Sequence, residues 1–180
     1  MEMLAQWHDF FIVLGAAAGT LIGAMFVVIS IASGLVRESE LTSRIFVTPT
    51  IFHLAFVLMG CAFTLVPSVD RVSLGAGAGV AGIVFLGYAG RNVFHIGRRR
   101  AVVWSDHLWY AAVPLLAYLL VVGGAVLVLK GMPGGVETLA IALALLVISG
   151  IRNAWDLILF FLERRASGRE DQSAGGAGPV

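Results

Sequence analysis

Five apolar stretches recur along this chain, each long enough to cross a bilayer as a helix, and they leave few residues for building anything else. They run from Phe10 to Val36, Thr48 to Val66, Ser73 to Ile96, His107 to Leu129 and Thr138 to Leu162. A transmembrane helix needs about 20 such residues, and in lipid every backbone N–H and C=O must be bonded within the segment. With 59% hydrophobic and 13% charged residues, no water-soluble domain could cover these runs with polar surface. The expected fold is therefore all-α, a polytopic membrane protein of five transmembrane helices. Residues 1–162 form one transmembrane domain. The connections "RESELTSR", "PSVDRV", "GRRRAVVWSD" and "KGMPGGVE" are too short to hold another. Residues 163–180, rich in Gly, Ser and charge, read as a disordered cytoplasmic tail.

Orientation follows from the basic residues. Arg37, Arg44, Arg98, Arg99, Arg100, Arg164, Arg165 and Arg169 fall on one side, and Arg71 and Lys130 on the other. Cytoplasmic loops carry the excess, so the N-terminus is expected outside and the C-terminus in the cytoplasm of a cell whose inner membrane holds the protein. The first apolar run has acidic flanks and no small-residue cleavage site, so it is read as a retained helix. Because the cations sit in clusters between apolar runs, they are topology signals and imply no nucleic-acid partner. Thr48 with Pro49 forms a good helix start, as do Ser105 and Asp106.

Gly15, Gly19 and Gly23 recur at intervals of four, and Gly75, Gly79 and Gly82 stud the "GAGAGVAG" region. Such faces let a second backbone approach closely, within the protomer or in an oligomer. Gly77, Gly79 and Gly82 also have the spacing of a dinucleotide fingerprint, but no strand precedes them. Packing is the better reading.

Polar residues inside the apolar runs are the candidates for function. "GRNVFH" at residues 90–95 is echoed by "IRNAWD" at 151–156, and each is preceded, one helix earlier, by a His-Leu pair, His53 with Leu54 and His107 with Leu108. One helix followed by two parallel hairpin repeats accounts for the order. Arg91 lies seven residues before Arg98, about 10 Å along a helix, close enough to snorkel to the interface. Arg152 is twelve residues before Arg164, about 18 Å, and a charge at that depth has to be paired or face water. Asp156, four residues on, shares its helix face.

Arg91, Asn92, His95, Arg152, Asn153 and Asp156, with His53 and His107, are thus expected to form a ligand-binding vestibule opening to the cytoplasm. Guanidinium and amide donors suit an anionic ion, solute or lipid headgroup. The leading expectation is a small transport or channel subunit. The second is a non-catalytic accessory or assembly subunit, homo-oligomeric or part of a larger membrane complex, whose polar cluster is structural. A haem or redox protein is the third. No cofactor is expected, since neither a bis-histidine haem nor a metal finds a local chelating pair among the histidines, and the single Cys61 has no thiol partner. Nothing in the sequence points to a catalytic triad.

Overall fold

The computed structural model describes residues 2–33, 48–97 and 108–175, with side chains at 4–31, 48–91, 109, 111–159 and 162. The described residues are helical apart from short turns: α1 (Glu2–Gln6), α2 (His8–Ser33), α3 (Thr48–Thr64), α4 (Arg71–Gly97), a π-helical turn (Leu108–Ala112), α5 (Val113–Lys130) and α6 (Gly135–Gly175). Four of them, α2, α4, α5 and α6, are long and apolar enough to cross a membrane. The fifth apolar segment, α3, has 17 residues, the lower end of the range that spans a bilayer. Large apolar side chains such as Val13, Val27, Met59, Val80 and Ile83 are exposed on the outside of the bundle, which suits a surrounding solvent of lipid.

Each helix buries one stripe. Phe11, Ala18 and Met25 face inward on α2; Leu54, Val57 and Cys61 on α3; Tyr118, Val121, Ala125 and Val128 on α5; Leu139, Leu143 and Leu146 on α6. These intervals of three, four and seven put each set on one side of a helix. α5 and α6 pack along their length, α4 packs on α5, and α2 packs on α3, which also meets α6. Consecutive helices usually neighbour one another, yet the backbones of α3 and α4 come close at few points. Their separation leaves an apolar cavity of about 400 Å³, with α5 and α6 behind it.

Glycines set the close crossings. A Cβ at Gly75 would lie 2.6 Å from Leu129 Cγ and 3.1 Å from the Ala125 carbonyl oxygen, and one at Gly82 would lie 2.9 Å from Val121 Cγ1. Gly79 faces the Ala125 Cβ at 3.6 Å, so these three glycines line the α4–α5 contact within one protomer. The α2 series is different. Gly15 sits against Cys61 of α3 (3.1 Å), Gly19 makes an ordinary contact with Leu58, and Gly23 meets nothing within 4 Å.

The turns are closed by local chemistry. α5 ends at Gly131, whose φ of 67° is left-handed. The Gly131 and Met132 N–H groups donate to the Val128 and Leu127 carbonyls (3.0 and 2.9 Å), a paired motif that satisfies the last turn. A Cβ at Gly131 would collide with the Arg71 guanidinium. Asp70 caps α4, accepting from the Ser73 N–H at 2.7 Å. The Ser73 hydroxyl and then its N–H hold the Asp70 carboxyl below its ordinary pKa. A depressed pKa means the cap is fully present above the ordinary carboxylate range and is lost as pH falls through the lowered value.

α6 continues through residues 163–175, where composition predicts a disordered tail. A helix already formed adds one hydrogen bond for each residue it fixes, with no new nucleation cost, and Arg, Glu, Gln and Ala in this stretch are good helix formers.

Candidate functional site

The candidate residues fall into two groups, plus a set beyond the described residues. Asn92 and His95 lie on α4, but their side chains, and the whole of His107, lie outside the described residues. Arg91 is exposed on α4.

The first group is on α6. Arg152 and Asp156 form an ion pair through Nη1 and Oδ1, with 38% and 25% of their side chains exposed. The spacing of four residues brings the charges together along one helix, so α6 carries both without net charge at that level. Asn153, next in the chain, turns into the bundle and is 3% exposed. Its Oδ1 finds no hydrogen-bond partner among the described residues. Four residues earlier, Ser149 is fully buried and its hydroxyl donates to the Trp109 carbonyl at 2.9 Å. Trp109 belongs to the π-helical turn that opens α5. In that register its carbonyl would look to residue 114 for a donor, and Pro114 has no N–H. Ser149 supplies the missing donor from the next helix.

The second group centres on His53. Near the start of α3, just over one turn past Pro49, the sequence places this residue close to an interface where a histidine needs no partner. In the structure it is 2% exposed, and its Nδ1 is hydrogen-bonded to the Tyr118 hydroxyl of α5 at 2.7 Å. Aromatic rings enclose the pair. Phe56 packs edge-on to Tyr118 with centroids 5.0 Å apart, and Phe85 lies 4.7 Å from Phe56. Tyr88 packs beside Phe52 and His53, at 5.7 and 6.5 Å. Such edge-to-face and offset contacts favour the geometry beyond the area they bury. These rings are where α3, α4 and α5 meet. Arg91 stands one turn beyond Tyr88 on α4, so it is next to this cluster in register.

Of the eight expected vestibule residues, then, Arg152 and Asp156 are paired, Asn153 is buried beside them in sequence, and His53 is engaged elsewhere. Among the described residues no three His, Cys, Asp or Glu side chains come together as a metal site. Tyr118, Ser149 and the ring cluster carry polar or aromatic roles that the motif does not announce. Tyr118 had one signal: it is the lone polar side chain within "LLAYLLVV", and a buried tyrosine hydroxyl seeks a partner. No protein-family model, no curated protein and no solved structure matches this chain.

Proposed function

We propose that this chain is a non-catalytic subunit of a membrane assembly, with α3 as its fifth span, its N-terminus outside and its C-terminus in the cytoplasm of an inner-membrane cell. The observation behind this reading is that three of the polar contacts inside the bundle are made within the chain itself. His53 bonds Tyr118, Ser149 bonds the Trp109 carbonyl, and Arg152 pairs with Asp156. Groups so engaged fix helix register and allow a charged helix to reside in lipid. The exposed apolar faces are then free for lipid, for a second copy or for a larger partner.

A second reading, a transport or channel subunit with an anion-coordinating vestibule, draws on two features. Asn153 is buried with an amide oxygen unmatched among the described residues, and more than a third of the Arg152 side chain is open. Together they would offer a polar solute both an acceptor and a cation near the cytoplasmic end.

The double replacement Arg152→Leu with Asp156→Leu separates the two. Deleting both charges together leaves no orphan, so stability in detergent should stay within about 1 kcal/mol of the parent. Under the first reading this variant keeps the parent's oligomeric state and co-purifying partners, and neither protein raises anion flux in liposomes above empty controls. Flux through the parent that the double variant lacks would replace the first reading by the second. The topology has its own check. A reporter fused after Val180 should be cytoplasmic and one within "KGMPGGVE" external; the opposite result at either point overturns the orientation.

A further inference from the structure

The gap between α3 and α4 leaves a deep slot toward lipid. Its walls are Phe63 and Met59 of α3 and Gly77 and Ala81 of α4, and Leu143 of α6 lies behind. A Cβ at Gly77 would lie 2.9 Å from the Phe63 ring, so the ring lies against the glycine across the gap. The volume, about 400 Å³, falls within the range of small-molecule sites. Along α4 the slot extends from Leu74 to Phe85, eleven residues or about 17 Å. Half of a hydrocarbon core is about 15 Å. The slot is therefore one leaflet deep, and the Phe56–Phe85 ring contact stands at its inner end.

Two exposed cations stand at the outer end. Arg71 is exposed one turn before Leu74, and its guanidinium lies over Gly131, the residue after exposed Lys130. The acids at this end are Asp70, which caps α4 through Ser73 and stays ionised beside Arg71, and Glu137 in the first turn of α6.

We propose that the slot holds one acyl chain of an anionic phospholipid from the leaflet at the α3–α4 loop, with its phosphate at Arg71 and Lys130. A guanidinium with a neighbouring ammonium suits a phosphate oxyanion, and an apolar slot in lipid takes a chain that needs no polar partner. The site is independent of Arg152 and Asp156, so its fate does not decide between the readings above.

Native mass spectrometry of the full chain in non-ionic detergent, with phosphatidylglycerol or phosphatidylcholine added, tests this. The expected result is one retained phosphatidylglycerol per chain, preferred roughly tenfold or more over phosphatidylcholine. Arg71→Gln with Lys130→Gln should erase that preference while leaving phosphatidylcholine retention unchanged. Ala81→Phe fills the slot and should lower retention of both lipids by roughly tenfold. Met59→Trp, at a rim position already 67% exposed, avoids the core and should lower it in the same direction even if Ala81→Phe fails to fold. Equal retention of the two lipids by the parent, or undiminished retention by Met59→Trp, would overturn the proposal.

Discussion

Gly75→Leu is expected to prevent α4 from seating on α5, at a cost of about 3 kcal/mol or more. The first added carbon already lies 2.6 Å from Leu129 and 3.1 Å from a backbone oxygen of Ala125. A side chain can swing away, but a carbonyl in the middle of a helix cannot. Three further carbons would have to force the two helices apart, and helix association in lipid depends on that close packing. The comparison is Gly23→Leu, whose new side chain enters open space at an exposed position and should change stability by no more than about 0.5 kcal/mol. Unfolding in mixed detergent, followed by helicity, measures both. Similar losses for the two variants would mean that α4 does not approach α5 as described.

The His53 and Tyr118 pair should give the other large effect. Tyr118→Phe keeps the ring contacts with Phe56 and Phe85 and removes only the hydroxyl, leaving His53 Nδ1 without its partner in a site 2% exposed. Stranding a buried polar atom costs about 1 to 3 kcal/mol. His53→Leu strands the hydroxyl instead, with a loss of similar size. In the double variant both polar atoms are gone, so its destabilisation should fall short of the sum by about 1 kcal/mol or more. A purely additive cycle would show that the two side chains do not bond. Fluorescence and thermal unfolding of the four proteins are sufficient to measure it.

The apolar runs were legible because helix length and hydropathy are local properties: the helices begin within a few residues of the ranges read from sequence, although α6 runs on to Gly175. The Arg152–Asp156 pair was legible for the same reason, since a four-residue spacing is settled within one helix. His53 was not. Its partner is 65 residues away, and distance from Pro49 gives depth along α3 but not the side that faces inward. The glycines make the same point from the other direction. Gly75, Gly79 and Gly82 face α5, whereas Gly15, Gly19 and Gly23 share a regular spacing but pass from close contact to open space along α2. The pattern identifies a smooth face; the tilt of the neighbouring helix decides how far contact extends. The splaying of α3 from α4 had no signal at all, because it arises from α3 packing on α2 and α6 while α4 packs on α5.

The bond between Ser149 and the Trp109 carbonyl also bears on the order of biogenesis. Synthesis delivers α5 before α6, so α5 first meets the bilayer with a carbonyl that Pro114 has left without a donor. An unmatched carbonyl is costly wherever water is excluded, and Trp109 lies four residues before the apolar span that begins at Val113. Until Ser149 emerges, the opening turn of α5 is better placed at the aqueous boundary or inside the insertion machinery than in lipid. Ser149 therefore ties the opening turn of α5 to α6, and that turn has its full set of backbone bonds only once the second of the two helices is made.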